Sequence, residues 1–483
     1  MDWSPVSAGT EVDPLDAVLL RGDENVTARS TIMALYVLDD APTWTRVTDA
    51  FERASRSVPR LRHRVIAPNL PFALPHWVAD PDFDLEYHLR RIRLPGPGTV
   101  RELLDFAQVQ ASVPLDRARP LWEATLVEGL DLRDCGGRAA LLVKASHAVA
   151  DGIAGMAMTR ALLDLEPDPE QPPMPEVPPA TRIGPQDIAR ASLRRWPLEL
   201  ADRSADNLHR TAAAWQGALR RPTDAVTSAV GTAGAAVRWT RSLARTVGQT
   251  SESSPVWRER GPRRRFSVLE VPLAGLRSAG RAAGGTLNDA YLAAVLGGVS
   301  RYHEASGCCI DEIAMAVPVS RRDPKDAAAG NRFAGARFAG PTGERDPAAR
   351  IGRIHEVMLA ARAEPALDAL RLLAPVIARL PKAAFDGLYD RAMSHDIQVS
   401  NVPGYPVPVF LAGRQVRRIY PFGPVPGVAA MLVLTSHAGV GYVGINVDPD
   451  AVRDPALFDS CLQEGFAEVL RLARDDATAG AVG

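Results

Sequence analysis

The chain has 483 residues, of which 46% are hydrophobic and 23% charged, and its formal net charge is -1 at pH 7. This composition is typical of a globular protein, and the length exceeds what one hydrophobic core usually supports, so we expect two domains. The net charge gives no basic field for a nucleic acid and no acidic excess of the kind found in disordered chains.

The four cysteines include no CxxC pair. This argues against a disulfide framework or a zinc site and favours a reducing compartment. The first twenty residues carry acids where a signal peptide carries bases, and no uninterrupted apolar run reaches membrane-spanning length. We therefore expect a cytoplasmic protein, which leaves contact with a membrane surface open.

Short apolar runs alternate with helical spacing over the first part of the chain. The pattern predicts strands at 30–38, 121–127 and 139–145, extended segments at 62–66 and 75–78, and helices at 45–58, 100–112 and 153–165. It indicates a mixed α/β or α+β fold without an internal repeat.

The composition then changes twice. Residues 166–179 are proline-rich and acidic, which predicts an extended linker. Residues 181–250 are rich in Ala, Arg and Leu and contain Trp196, Trp215 and Trp239. We predict two or three helices with arginine on one side and prefer a solvated crossover. The alternative is an interfacial surface, because arginine and tryptophan suit the headgroups of an anionic membrane or a lipid droplet.

A second domain begins near Arg263. Its pattern predicts strands at 313–319, 397–402, 416–420, 429–436 and 440–447, and helices at 286–302, 347–362, 366–380 and 456–473. We therefore divide the chain into an N-terminal domain at 1–165, a helical linker at 166–262 and a C-terminal domain at 263–483.

A histidine and an aspartate stand four residues apart where an apolar strand ends, as His147 and Asp151. A neutral imidazole can take a proton from a hydroxyl or a thiol near working pH. Asp151 can orient the ring or pin the loop, while Gly152 leaves room for a close approach of substrate. The alternatives are a helix cap for Asp151, a buried structural histidine, and a metal pair that lacks a third ligand nearby.

Other motifs support the catalytic interpretation by their order and spacing. They are PLDAV at 14–18, VPRLRHRV at 58–65, FDLEYHLRRIRLPGPG at 83–98, PLDRARPLWE at 114–123, SHAVADGIAG at 146–155, TLNDAYLAAV at 286–295, VPVSRR at 317–322, GNRFAG at 330–335, SNVPG at 400–404 and YPFGPVPG at 420–427. With them, nearly the whole chain resembles the bacterial wax ester synthase/acyl-CoA:diacylglycerol acyltransferase family.

The resemblance implies two chloramphenicol-acetyltransferase-like sandwich domains, each a mixed sheet flanked by helices, with substrates meeting in a tunnel between them. It implies an O-acyltransferase that takes acyl-CoA as co-substrate, needs no cofactor or metal, and esterifies diacylglycerol or a long-chain alcohol to triacylglycerol or wax ester. Such acceptors are insoluble, so we expect a cytoplasmic enzyme that can lie at the inner membrane or on lipid droplets, with no nucleic-acid partner.

The family's base corresponds to His147 and its motif aspartate to Asp151, which usually supports the loop. Pro120, Leu121 and Trp122 match a second family motif, and Asn288 and Asp289 a third. We expect these five to shape the site: Trp122 as a core or tunnel-wall residue, Asn288 and Asp289 at a helix start.

The family usually has two consecutive histidines, and Ser146 replaces the first of them here. Neighbours at a strand end tend to point to opposite faces, so we expect the base to keep its place and the acceptor preference to change. The serine is smaller and still a hydrogen-bond donor. Two functions therefore stay open besides the main one: acylation of a different alcohol or amine, and non-catalytic binding of lipid or acyl-CoA.

An oxyanion forms when the acceptor attacks the thioester, and it needs hydrogen-bond donors. The sequence names none directly. We expect Ser400 or Asn401 in this role, because both are short donors beside Pro403-Gly404, a dipeptide that predicts a fixed turn.

Overall fold

The computed structural model describes residues 10–70, 73–149, 152–193, 253–320, 333–363, 369–392 and 395–479. The strands, numbered in chain order, are β1 (Thr10–Glu11), β2 (Thr31–Leu38), β3 (His63–Ile66), β4 (His76–Ala79), β5 (Leu89–Arg93), β6 (Trp122–Leu132), β7 (Gly137–Ser146), β8 (Leu163–Asp164), β9 (Arg265–Pro272), β10 (Glu312–Ser320), β11 (Phe333–Pro341), β12 (Ile397–Tyr405), β13 (Phe410–Leu411), β14 (Arg414–Phe422), β15 (Ala430–His437) and β16 (Val440–Val447).

The α-helices cover most of the remaining described residues. They include Pro14–Gly22, Trp44–Ser57, Leu85–His88, Val100–Ser112, Gly152–Leu162, Leu273–Ala282, Leu287–Ala305, Pro347–Ala363, Ala369–Ile377, Lys382–Ala392 and Pro455–Ala479. None of these described helices combines the length and the apolar character needed to cross a bilayer.

Two large mixed sheets organise the chain. The first has seven strands in the order β5-β6-β7-β2-β14-β13-β8, and the second has six in the order β11-β10-β12-β15-β16-β9. A small third sheet has the strand order β1-β4-β3. The predicted class, mixed sheets flanked by helices, describes this architecture.

The second half of the chain contributes two strands to the first sheet. β14 pairs antiparallel with β2, with Tyr420 opposite Leu35, and β13 joins β8 to the same sheet. Late residues thus complete the sheet begun by the first part of the chain. The predicted boundaries at 165 and 263 stay a prediction, but no single cut in the sequence separates the two sheets.

Part of the predicted linker also packs with the second half. Trp257 is fully buried in the core beneath the second sheet, beside His303 at a ring distance of 4.7 Å. The Ser254 hydroxyl lies 2.7 Å from His303 Nε2. Val256 and Trp257 therefore pack in that core, whereas 194–252, with the three predicted linker tryptophans, lie outside the described residues.

The second core surrounds one helix. Leu287–Ala305 is buried along most of its length and packs against Pro455–Ala479, where Gly298 lets the Leu462 backbone come close. The guanidinium of Arg350 and the carboxylate of Glu468 form a buried ion pair between neighbouring helices.

A third cluster of apolar side chains lies between the two sheets. It combines Met33 and Leu35 of β2 with Phe266 of β9 and Phe422 of β14. The rings of Phe266 and Phe422 stack at 4.1 Å with an interplanar angle of 6°. This seam cluster joins the two sheets.

One local prediction is wrong. Pro403-Gly404 forms no turn, because β12 continues to Tyr405 with a shift in its register to β15 between Val402 and Tyr405. Within the part of the chain that the structure describes, β10 pairs with β12 at Ile397 and Gln398 and does not extend to Pro403, so the missing N–H of this proline interrupts no described pairing on that side. A Cβ on Gly404 would collide with the Ser436 carbonyl, which explains the glycine.

Candidate active site

The turn that carries His147 is held by three backbone hydrogen bonds. β7 ends at Ser146, whose N–H donates to the Leu121 carbonyl at 3.0 Å. The His147 N–H donates to the Ser30 carbonyl at 3.2 Å, and the Val149 N–H closes the turn on the Ser146 carbonyl at 3.0 Å. Leu121 and Ser30, which directly precede β6 and β2, thus hold the turn from both sides.

Ser30 is itself anchored. Its N–H and its hydroxyl donate to Asp23 Oδ1 at 2.5 and 2.8 Å. Burial raises the pKa of the Asp23 carboxyl, and the hydrogen bonds from Ser30 oppose that shift. The support of the His147 turn therefore continues into the segment after the first helix.

The imidazole of His147 is half-buried, with Nδ1 enclosed by protein. The chain continues into helix Gly152–Leu162, as the sequence predicts, although this helix ends three residues before the predicted position. Asp151 lies outside the described residues, so its cap or ring contact stays a prediction.

Ser146 lies at the end of β7 on the side of the seam cluster. Alternation along the strand puts Val143 and Ala145 in the first core and Leu142, Lys144 and Ser146 on the opposite face. Ser146 is 1% exposed, and its hydroxyl has no hydrogen-bond partner among the described residues.

Lys144 shares this face and is also buried. Its ammonium lies 3.5 Å from Glu123 Oε2, and Arg90 approaches the same carboxylate oxygen at 3.2 Å. Burial lowers the pKa of the Lys144 ammonium, which the Glu123 charge partly opposes. A cation therefore lies two residues from Ser146 on the strand that leads to the candidate base.

The Pro120-Leu121-Trp122 motif supports the turn. Trp122 is fully buried, stacks on His88 at 4.6 Å and on Phe51 at 5.7 Å, and donates its indole N–H to the Leu61 carbonyl at 2.8 Å. Burial lowers the pKa of the His88 imidazole. The tryptophan thus fixes the start of β6, and Leu121 presents its carbonyl to Ser146.

Asn288 and Asp289 begin the long helix of the second core. The Asp289 carboxylate accepts hydrogen bonds from the Thr286 N–H and hydroxyl, both at 2.8 Å, and forms a capping box with Thr286. The same oxygen lies 2.8 Å from His355 Nδ1. Asp289 therefore caps a helix and ties it to a neighbouring helix, while Asn288 is half-buried beside it.

Ser400 and Asn401 lie on β12 rather than beside a turn. Ser400 is half-buried opposite Val433, whereas Asn401 is exposed. The strand ends at Tyr405, whose hydroxyl shares Thr159 with the hydroxyl of Tyr36. Since Thr159 belongs to the helix that follows His147, the end of β12 lies against that helix.

Sequence reasoning missed several residues at this site. Ser30 acts through a backbone carbonyl, which leaves no side-chain signal. Arg29, Arg264 and Asn446 come from three separate segments and line one cavity at the seam. Of the motifs found in the sequence, only YPFGPVPG at 420–427 contributes to this cavity, because Phe422, Gly423 and Pro424 form part of its wall.

The chain matches two family descriptions. Residues 10–291 match the wax ester synthase/diacylglycerol acyltransferase catalytic domain, and residues 329–469 match the WS/DGAT C-terminal domain. A protein of Mycobacterium tuberculosis named as a diacylglycerol O-acyltransferase is 43% identical over 96% of this chain and 92% of its own length.

Two solved structures share the fold. The wax ester synthase/diacylglycerol acyltransferase from Marinobacter aquaeolei VT8 has a TM-score of 0.63 at 21% identity and covers 96% of this chain and 100% of its own. The first condensation domain of the calcium-dependent antibiotic synthetase has a TM-score of 0.56 at 17% identity, with 97% of each chain covered. These likenesses confirm the predicted fold class. By its family matches and its mycobacterial relative, the chain belongs to the wax ester synthase/diacylglycerol acyltransferase family of O-acyltransferases.

Proposed function

We propose that this protein transfers an acyl group from acyl-CoA to diacylglycerol or to a long-chain alcohol, with His147 as general base. The observation that supports this proposal best is the place of His147. Its turn is hydrogen-bonded to the carbonyls of Ser30 and Leu121 and directly follows Ser146, which faces the seam, in a chain that matches the family over most of its length.

In the proposed step the His147 imidazole takes the proton of the acceptor hydroxyl. The oxygen attacks the thioester carbonyl, and a tetrahedral oxyanion forms. When it collapses, the carbon–sulfur bond breaks, and the CoA thiolate takes the proton back from the imidazolium. Because Nδ1 is enclosed, Nε2 is the nitrogen that we expect to meet the acceptor.

We expect the positioning of the two substrates to contribute more to the rate than the general base does. A general base supplies roughly 10²–10⁴-fold. Holding two reactants together can lower the barrier by about 7–11 kcal/mol. We propose that the substrates meet in a tunnel at the seam and that Asp151 supports the loop. Ser400 remains our candidate oxyanion donor ahead of the exposed Asn401.

A second candidate function is acylation of a different alcohol or amine. It is favoured by one observation, the buried hydroxyl of Ser146 without a partner among the described residues. A substrate group near the seam could bind there. We also keep the proposal that the arginine-rich segment gives access to a lipid surface, since the acceptors are insoluble.

The test of the function is thiol release from palmitoyl-CoA across a panel of diacylglycerol, hexadecanol, amines and no acceptor. Release that requires diacylglycerol or hexadecanol, with the matching ester found by mass spectrometry, supports the main proposal. Release that requires another acceptor supports the second candidate. Binding of palmitoyl-CoA without release under any condition would show a non-catalytic protein.

Ser146→Ala and Ser146→His are expected to keep measurable acyl transfer, because the base is the next residue and its turn is held by backbone atoms. We expect the ranking of acceptors to change more than the total rate, by about 10-fold at most, the size of one hydrogen bond to a neutral partner. Initial rates with each acceptor measure this. Loss of all transfer in Ser146→Ala would show that the hydroxyl takes part in the chemistry.

A further inference from the structure

A cavity of about 180 Å³ lies at the seam, against the starts of β2 and β9. Arg29, Thr31 and Met33 line it from the start of β2, and Arg264 and Phe266 from the start of β9. Thr31 is opposite Ser146 in the β2–β7 ladder, and the residue between Arg29 and Thr31 accepts the His147 N–H. The cavity is thus one strand away from Ser146, the residue that directly precedes the candidate base.

One wall of the cavity offers an unused acceptor. Asn446 is 4% exposed, and its Nδ2 donates to the Gly423 carbonyl at 2.7 Å. Its Oδ1 is buried without a hydrogen-bond partner among the described residues. Since buried polar atoms are normally paired, this oxygen needs a donor that the described protein does not supply.

The cavity is also lined by two guanidinium groups, those of Arg29 and Arg264. Arg29 donates from Nη1 to the Ser112 carbonyl at 2.9 Å, while its Nε is buried without a partner in the described structure. Arg264 donates to the Gly261 and Arg263 carbonyls at 3.1 and 2.8 Å. Neither guanidinium lies within 4.0 Å of a carboxylate among the residues described.

The carboxylates whose charges act on the two arginines already accept hydrogen bonds from other groups. Asp23, which acts on Arg29 at longer range, accepts two hydrogen bonds from Ser30. Asp448, which acts on Arg264, accepts the backbone N–H groups of Gly261 and Asp450. Burial and the charge of Arg29 lower the pKa of Arg264. The two cations repel each other, and no carboxylate of the described residues forms an ion pair with either of them.

We propose, on the basis of the proposed acyl-CoA-dependent function, that Arg29 and Arg264 bind a phosphate group of a substrate in this cavity, with Asn446 Oδ1 accepting from an N–H or O–H of the same molecule. Guanidinium groups match phosphate oxygens in pairs, and such charge-assisted bonds are among the stronger ones in proteins. CoA carries phosphates, amides and hydroxyls; a phosphorylated acceptor is the other source of the same group.

The test is calorimetric titration of CoA, pantetheine and glycerol 3-phosphate into wild type, Arg29→Gln and Arg264→Gln. Arg263→Gln is the matched control, because Arg263 is the adjacent exposed arginine and pairs with Asp450. If the donor supplies the phosphate, the ratio of the pantetheine Kd to the CoA Kd falls about 10- to 100-fold in both variants, the range of one charge-assisted bond. It stays within about twofold in the control, and Arg264→Lys is intermediate.

If the acceptor supplies the phosphate, both variants lose affinity for glycerol 3-phosphate and the CoA ratio is unchanged; the subsite then stands with the second source. The proposal is overturned if the variants and the control bind CoA and glycerol 3-phosphate alike, or if pantetheine loses as much affinity as CoA while the affinity for glycerol 3-phosphate is unchanged. Binding is measured without turnover, so failure of the enzymatic proposal would appear separately, as absent thiol release. Thermal unfolding of each variant confirms that it is folded.

Discussion

His147→Ala is expected to reduce acyl transfer from palmitoyl-CoA by at least 100-fold while the protein stays folded. The loss is that of a positioned general base, roughly 10²–10⁴-fold. The turn keeps its shape because the bonds to Ser30 and Leu121 use backbone atoms. Initial rates of thiol release measure the loss, with circular dichroism and the thermal midpoint as checks of folding.

His147→Gln is the sharper variant, since glutamine keeps polar atoms near the same place and cannot act as a base near neutral pH. It should be as inactive as the alanine variant, whereas Ser146→Ala should not. If His147→Gln retains more than about a tenth of the wild-type rate, the imidazole does not act as the general base in the proposed step.

Trp122→Ala is expected to lower the free energy of unfolding by about 3–5 kcal/mol, the usual cost of removing a large buried aromatic side chain. The variant also leaves the Leu61 carbonyl without its indole partner. Because Leu121 holds Ser146 from the next position, the folded fraction should also lose kcat. Urea unfolding and rates below the unfolding transition measure the two effects.

Trp257→Ala is the matched control, since Trp257 is equally buried but belongs to the second core. It should lose comparable stability while folded molecules keep their kcat. Trp122→Phe should lie near wild type, at a cost of about 1 kcal/mol for the hydrogen bond. A Trp122→Ala protein that loses stability but keeps full kcat would show that the motif supports the core and not the turn.

Individual helices and strands could be predicted wherever the spacing of the apolar residues was regular. Helix Val100–Ser112 matches its prediction in both ends, because Thr99 and Glu102 form a capping box at its start. Strands β2 and β7 were predicted within one or two residues, since they are buried apolar runs with clear ends.

Long-range pairing was not predictable. Nothing local to Arg414–Phe422 indicates that this strand pairs with Thr31–Leu38, because periodicity defines a strand and not its neighbour. For the same reason Pro403-Gly404 was mistaken for a turn. The open side of β12 and the close Ser436 carbonyl exist only in the folded sheet.

The residues of the candidate site also fall into those that local sequence predicts and those that only the fold brings together. His147 and the Leu121-Trp122 support lie in compact motifs that one segment displays. Arg29, Arg264 and Asn446 become neighbours only when the two sheets pack together. The residues expected to perform chemistry were therefore found from the sequence, while those that we expect to bind substrate needed the fold.

Single-turnover mixing of enzyme with palmitoyl-CoA shows whether the acyl group passes directly to an acceptor activated by His147. We predict that rapid thiol release begins only when the acceptor is added, that the ester appears at the same rate, and that the intact mass of the protein never changes. One equivalent of CoA released without acceptor, with a protein mass increased by one palmitoyl group, would contradict the account.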